Sequence, residues 1–184
     1  MKYSILLIVL FTFACEEKSN KQLMPVRKDW ADLGRYKASN DSIKIKGDSL
    51  IVFMGNSITE EWWKIDPLFF AGKPYVNRGI SGQTSSQMLV RFRQDVIGLK
   101  PKIVIILGGT NDIAENTGPT TLENIIGNIA SMEELAKANN IKVILCSVLP
   151  AVRYNWRPDI QPAEKIVQLN KMIKDHCIKH NIVY

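Results

Sequence analysis

The sequence lacks the usual signatures of metal, disulfide and nucleotide sites. Its 184 residues include three cysteines and two histidines, with no CxxC pair, so neither a disulfide framework nor a cysteine zinc site is indicated. His176 and His180 are spaced i, i+4, but no third ligand accompanies them in the sequence, and we expect no bound metal. Neither GxGxxG nor GxxxxGK[ST] occurs, which disfavours a flavodoxin-like nucleotide-binding protein. No cofactor is implied.

A concentrated basic stripe is also missing. The net charge is +6, from 24 Lys and Arg against 18 Asp and Glu, but the basic residues are scattered among acidic ones, which argues against a nucleic-acid partner. The hydrophobic fraction of 46% and the length of 184 residues are those of a single globular domain.

The amino terminus is typical of an export signal. Lys2 precedes an apolar run from Tyr3 to Ala14, which is too short to span a bilayer as a helix. Cys15 follows directly and resembles the lipidated cysteine of a bacterial lipoprotein. Secretion without a lipid and a retained anchor are the alternatives.

These features divide the chain into three segments. We expect a signal peptide over residues 1–14, a polar tether over 15–24 that begins at lipidated Cys15, and one folded domain over 25–184. The expected location is the bacterial cell envelope, in the periplasm or at the cell surface, with membrane contact through the lipid.

Strand-like and helical patterns alternate from Ser49 onward. The alternation predicts an α/β fold, a three-layer flavodoxin-like sandwich with a parallel sheet in the order 2-1-3-4-5, whose last strand and final helix are cut short. A short helix is expected over 29–40, with Trp30, Leu33 and Tyr36 against the body. The predicted strands are Leu50–Met54, Tyr75–Asn77, Ile103–Leu107, Lys142–Val148 and Ile182–Tyr184. The predicted helices are Glu60–Phe70, Ser85–Leu99, Thr121–Asn139 and Pro162–Asn181.

Small polar loops follow the first three strands. In a parallel sheet these loops open on one edge, in the crevice where α/β folds bind their ligands. Taken singly, each loop has a structural interpretation: Gly55-Asn56-Ser57 as a helix cap, Gly82 as a turn, and Asn111-Asp112 as an Asx turn. Their occurrence together, in order, favours a common site.

Taken together, the loops resemble the SGNH (GDSL-type) hydrolase family. Gly55-Asn56-Ser57-Ile58 is similar to its first block, with Asn56 in place of the usual aspartate. The segment from Asn77 to Gly82 is similar to the second block, and Gly109-Thr110-Asn111-Asp112 to the third. The resemblance implies lysophospholipase-like or acetylesterase-like activity on small acyl esters, such as acetylated carbohydrates or lysophospholipids.

Each matched residue has a chemical role in acyl transfer. Ser57, at the start of a helix, is the expected nucleophile. Its N–H, the N–H of Gly82 and the side-chain amide of Asn111 would form the oxyanion hole.

The fourth block of the family, an aspartate followed three residues later by a histidine, is not in this sequence. His176 and His180 are expected to lie at the far end of the last helix, about 20 Å from its crevice end. The base histidine and its aspartate are therefore not in this chain, and if the chain truly ends at Tyr184 we expect it to be nearly inactive.

Aromatic and basic residues near the same edge are candidates for substrate binding. Trp63 could line an acyl or sugar pocket or simply belong to the core, and Arg153 and Trp156 lie in the loop after the fourth strand. A non-catalytic surface lipoprotein that binds a glycan or an anion in the same crevice is the alternative function.

Overall fold

The computed structural model describes residues 29–43 and 47–184. The predicted signal peptide, Cys15 and the tether lie outside the described residues. None of the helices within these two ranges is long and apolar enough to cross a bilayer.

Strands and helices alternate through the described part of the chain. The strands are β1 (Gly47–Gly55), β2 (Tyr75–Gly79), β3 (Pro101–Leu107) and β4 (Lys142–Leu145). The helices are α1 (Lys37–Ser42), α2 (Ser57–Ile65), α3 (Pro67–Phe70), α4 (Ser85–Asp95), α5 (Thr110–Ile113), α6 (Leu122–Ala138) and α7 (Ala163–His180), with a 3₁₀ turn at Ile97–Leu99.

The four strands form a parallel sheet in the order β2-β1-β3-β4. This confirms the predicted α/β fold and the order of its first four strands. Beyond β4, Val183 forms a single parallel bridge with Ile144, and its carbonyl accepts a hydrogen bond from Leu145 N at 3.0 Å. The predicted fifth strand is therefore represented here by one bridge on the outer side of β4.

Alternate residues of β1 face two different layers. Leu50, Val52 and Met54 belong to the main core, which includes buried side chains from α4, α6 and α7: Met88, Phe92, Ile125, Ile129, Leu169 and Ile173. Phe53 faces the other side and packs edge-on against Trp62 and Phe70. Helices α2 and α3 thus cover the sheet at β1, while α4, α6 and α7 cover its other face.

Two expectations about burial were wrong. The first helix begins only at Lys37, and Trp30 and Leu33 are 45% and 39% exposed, because the preceding turns bury the small side chain of Ala31 instead. The near-continuous apolar character of the predicted strands suits burial on both faces, but in β3 only Val104 and Ile106 are buried among the apolar residues from Ile103 to Leu107, and the others are half-buried.

Candidate active site

The first three strands end side by side. Gly55 of β1 is in register with Gly79 of β2 and with Leu107 of β3. The loops that follow therefore start at one edge of the sheet, as the sequence predicted. Each loop carries one of the proposed acyl-transfer residues.

Close backbone packing explains two of the glycines in these loops. A Cβ atom on Gly79 would lie 2.2 Å from the backbone nitrogen of Glu60, and one on Gly55 would lie 2.0 Å from Thr59 Oγ1. Both contacts are with the first turn of α2. Because neither glycine has a side chain, α2 can begin directly against the ends of β1 and β2.

Ser57 is the first residue of α2. The Asn56 side chain caps the helix by accepting a hydrogen bond from Ile58 N at 3.0 Å, and Ser57 itself is half-buried. The helix dipole and the free N–H groups of this turn favour negative charge beside the Ser57 hydroxyl. Asn56 therefore provides the capping oxygen that the aspartate of the family would provide.

Hydrogen bonds fix the second loop against the first. Ile80 N donates to Gly55 O at 3.1 Å, and Ser81 N donates to Glu60 Oε2 at 2.7 Å. The other oxygen of Glu60 binds Arg35 Nη2 at 2.6 Å. Glu60 thus holds the residue before Gly82 against the first turn of α2.

Gly82 has a φ of +77°, a conformation that favours glycine. Its carbonyl accepts a hydrogen bond from Asn116 Nδ2 at 3.0 Å. Among the described residues beyond its chain neighbours, only that side-chain nitrogen would lie within 4 Å of a Cβ at this position. A substrate oxygen could therefore approach the backbone closely here.

Asn111 is 3% exposed and is tied to the second loop. Its Nδ2 donates to Gln83 O at 2.8 Å. A side-chain amide has two N–H groups, and this hydrogen bond uses one of them. The structure joins the Gly82 and Asn111 loops through this hydrogen bond.

The next residue, Asp112, fixes the start of α4. Its carboxylate accepts hydrogen bonds from Ser85 N at 2.9 and 3.0 Å and from the Ser85 hydroxyl. Burial raises the pKa of Asp112, and the donors from Ser85 partly offset that rise.

The sequence analysis did not identify Arg91, whose buried side chain links the first and second loops. Its side chain is fully buried and donates to Gly55 O at 3.0 Å, to Gln83 Oε1 at 2.6 Å and to Asp95 Oδ2 at 3.0 Å. Burial lowers the pKa of Arg91, while Asp95 opposes that change. The sequence did indicate that Arg91 would be buried, because Met88, Arg91 and Phe92 share the core-facing side of α4.

A polar pocket of about 590 Å³ lies beside Gly82. Its lining includes the side chains Asp29, Trp30, Asp32, Asn116, Thr117 and Arg157. Trp156 borders it through a hydrogen bond from Nε1 to Asn116 Oδ1 at 3.2 Å. Arg153 is exposed and is not among the lining residues, whereas Arg157 donates to Ala114 O at 2.7 Å.

Trp63 lies elsewhere. It is 50% exposed and borders a separate cavity of about 390 Å³ with Arg35, Tyr36 and Lys64. The structure therefore does not bring Trp63 together with Arg153 and Trp156.

The two histidines lie far from Ser57. His176 is 13 residues into α7, about 20 Å from the end of that helix that faces the crevice. Its ring stacks on that of His180, and its Nε2 lies 3.5 Å from Glu133 Oε2. The expectation that no third candidate ligand accompanies the histidines was wrong, because α6 supplies Glu133.

The sheet order and the three loops at its carboxyl edge define the SGNH class of α/β folds. Within it, the chain belongs to the GDSL-like lipase/acylhydrolase family, whose model matches residues 53–184.

Two crystal structures from Bacteroides are similar to this chain. A candidate acylhydrolase of Bacteroides fragilis NCTC 9343 is 51% identical, with a TM-score of 0.82 over 85% of this chain and 76% of that one. A GDSL-like lipase of Bacteroides thetaiotaomicron VPI-5482 is 50% identical, with a TM-score of 0.81 over 83% and 76% of the two chains.

Two curated proteins match shorter segments. Esterase TesA of Pseudomonas aeruginosa is 30% identical over 124 residues, which are 65% of this chain and 60% of TesA. The uncharacterised lipoprotein YqeF of Bacillus subtilis is 34% identical over 85 residues, which are 45% of this chain and 35% of YqeF. The matches thus span less than two thirds of either relative.

Proposed function

We propose that the protein is a serine esterase that hydrolyses small acyl esters, with Ser57 as its nucleophile. Membership of the acylhydrolase family supports a hydrolase. The observation that carries the assignment is the position of Ser57 in the first turn of α2, which Glu60 ties to the Gly82 loop at 2.7 Å. The hydrogen bond from Asn111 Nδ2 to Gln83 O extends this arrangement to the third loop.

In the proposed reaction, Ser57 Oγ attacks the ester carbonyl carbon and passes its proton to a base. The oxyanion accepts hydrogen bonds from Ser57 N–H, Gly82 N–H and Asn111 Nδ2–H, each typically worth about 10²–10³ in rate. The alcohol leaves with a proton, and water then cleaves the acyl-serine bond to release the acid and restore Ser57.

The base is not among the described residues, since both histidines are remote from Ser57. A histidine and its aspartate would come from outside these residues. A polypeptide without those two groups would turn over slowly, because loss of triad members costs about 10⁴–10⁶ in turnover.

The pocket beside Gly82 favours an acetylated carbohydrate over a lysophospholipid. Its lining is mainly polar, with carboxylates at Asp29 and Asp32, an amide at Asn116 and a guanidinium at Arg157. These groups match the hydroxyls of a sugar, and Trp30 adds an aromatic ring to the lining. A long acyl chain would find few apolar side chains in this pocket.

Labelling with a fluorophosphonate, together with p-nitrophenyl acetate turnover, tests the role of Ser57. We expect the wild type to label and Ser57→Ala to lose the label, while Ser42→Ala, on α1 and away from the crevice, keeps it. Free imidazole should raise turnover of the wild type above that of Ser57→Ala, because it can replace a missing base. Equal labelling and equal turnover of the two proteins in the presence of free imidazole would exclude Ser57 as the nucleophile.

A non-catalytic function is the second candidate, favoured by the lack of a base near Ser57 within the described ranges. In that case the polar pocket would bind a glycan without hydrolysing it. Calorimetry with acetylated xylooligosaccharides separates the two functions. Binding that persists in Ser57→Ala with no turnover in any form of the protein would support the binding function.

We also propose export and lipid attachment at Cys15. The similarity to lipoprotein YqeF supports this location, as does the pattern of the first 15 residues. Processing in the bacterium should be blocked by globomycin, and labelled palmitate should enter the wild type but not Cys15→Ala. Processing that ignores globomycin, with no palmitate incorporation, would contradict it.

A further inference from the structure

Three potential metal ligands meet where α6 packs against α7. Glu133 Oε, a His176 ring nitrogen and a His180 ring nitrogen all lie within 4.8 Å of one another. The histidines are one turn apart on α7, so both rings project from one side of that helix. Glu133 comes from α6, so the cluster joins two helices that are separate in sequence.

The spacing fits a small transition-metal ion. Four ligands around zinc at about 2.0–2.1 Å lie about 3.3–3.5 Å apart, and His176 Nε2 is 3.5 Å from Glu133 Oε2. The His176 and His180 rings are stacked, with centroids 4.3 Å apart. A ring nitrogen of His180 lies within 4.8 Å of both of these atoms.

Two of the polar groups are buried without hydrogen bonds. Glu133 is 1% exposed, and neither of its carboxylate oxygens nor His176 Nε2 has a hydrogen-bond partner among the described residues. Leaving such groups unsatisfied is costly. A bound cation would satisfy Glu133 Oε2 and His176 Nε2 at once.

Lys137 positions the carboxylate without occupying the proposed ligand atom. Its Nζ lies 2.7 Å from Glu133 Oε1, in ion-pair contact, and donates to His180 O at 3.1 Å. Oε2 is left to face His176. A ligating carboxylate is commonly held by an outer partner of this kind.

We propose that Glu133, His176 and His180 bind a zinc ion that fastens α7 to α6. Two imidazole nitrogens and one carboxylate oxygen form a donor set that zinc accepts, with water as the fourth ligand. The site lies far from Ser57, so its role is to stabilise the fold rather than to act on the ester. This proposal is independent of the proposed esterase activity.

The experiment measures thermal unfolding of the full chain, without a histidine tag, as zinc is added. At about 100 times the dissociation constant, we expect zinc to raise the Tm of the wild type by roughly 5–10 °C. Magnesium should leave the Tm unchanged, because it prefers oxygen ligands. Cobalt bound in place of zinc should give the visible absorption of a tetrahedral centre.

Matched variants locate the site. His180→Ala removes an exposed ligand and should fold normally, yet weaken zinc binding by at least about tenfold, since one of three protein ligands is gone. Lys179→Ala, its exposed neighbour, should bind zinc like the wild type. Glu133→Gln keeps the shape of the buried side chain and should also lose the zinc-dependent rise in Tm. Failure of zinc to shift the wild type, or an equal shift in His180→Ala, would overturn the proposal.

Discussion

The buried polar groups at the crevice edge differ from those at the α6–α7 contact in their hydrogen bonding. At the crevice, Arg91 and Asp112 are buried; Arg91 donates hydrogen bonds to two of the loops, and Asp112 accepts hydrogen bonds from Ser85 at the start of α4. At the α6–α7 contact, Glu133 is equally buried; its Oε1 forms an ion pair with Lys137, and its Oε2 makes no hydrogen bond to the described residues. The comparison teaches that buried polarity at the crevice is used to fix backbone, whereas at α6–α7 it remains available to a ligand.

We expect replacement of Arg91 to have the largest effect on the stability of the crevice region. Arg91→Met removes the donors to Gly55 O and Gln83 Oε1 and takes the cationic partner from buried Asp95. Asp95, the last residue of α4, would then keep the hydrogen bond from Asn40 Nδ2 but lose its ion pair. We expect the free energy of unfolding to fall by about 3–5 kcal/mol, measured by urea denaturation.

The double variant Arg91→Met with Asp95→Leu is the control. It removes both charges, so we expect it to recover a substantial part of the lost stability. A single-variant loss below about 1 kcal/mol would mean that the buried ion pair does not support the crevice.

Replacing Gly79 has the next largest expected effect and tests packing rather than charge. A Cβ in Gly79→Ala would lie 2.2 Å from Glu60 N and 2.7 Å from Asn56 O, both backbone atoms that cannot rotate away. We expect a loss of at least about 1–3 kcal/mol in the free energy of unfolding. Slower Ser57 labelling should accompany it, because the first turn of α2 must move.

Gly127 of α6 is the matched control from the other region. A Cβ there meets no atom within 4 Å, and alanine favours a helix interior. We expect Gly127→Ala to stabilise the protein by about 0.5–1 kcal/mol. A similar loss in both alanine variants would show that close packing at Gly79 is not the cause.

The smallest expected effect is a pH dependence from Asp112. Because burial raises its pKa above the ordinary 3.8, the folded protein keeps this proton when the unfolded chain has lost it. The stabilising contribution is therefore complete below pH 3.8 and is lost as the pH rises through the pKa of the folded state. Urea denaturation at a series of pH values from about 4 upward should show the contribution of Asp112 to the free energy of unfolding falling as the pH rises. Asp112→Asn should abolish this fall. An equal fall in that variant would assign the pH dependence to another group.

Local patterns predicted much of the fold and of the crevice. Apolar runs followed by small polar residues located β1, β2 and β3 and placed Ser57, Gly82 and Asn111 at one edge, since parallel strands end together. The lengths of the strands were less accurate, because pairing extends β2 to Gly79 and ends β4 at Leu145.

Long-range contacts explain what the sequence did not reveal. Arg91 reaches Gly55, and Glu133 reaches His176, across segments that no local periodicity connects. The sequence predicted α6 only as a helix over Thr121–Asn139, and its one buried carboxylate gave no sign of the histidines that it contacts. Arg157 likewise took the place expected for Arg153, because the loop after β4 turns back on Ala114.

The contact between Gly79 and the first turn of α2 also bears on how such a site can change. Main chain touches main chain there, so no exchange of a neighbouring side chain can compensate for a substitution. We therefore expect Gly79, which contacts the turn that carries Ser57, to tolerate few substitutions. Asn116 and Arg157, by contrast, shape the pocket with side chains alone. Under the proposed function, substrate preference can therefore change at the pocket wall while the turn that carries Ser57 stays the same.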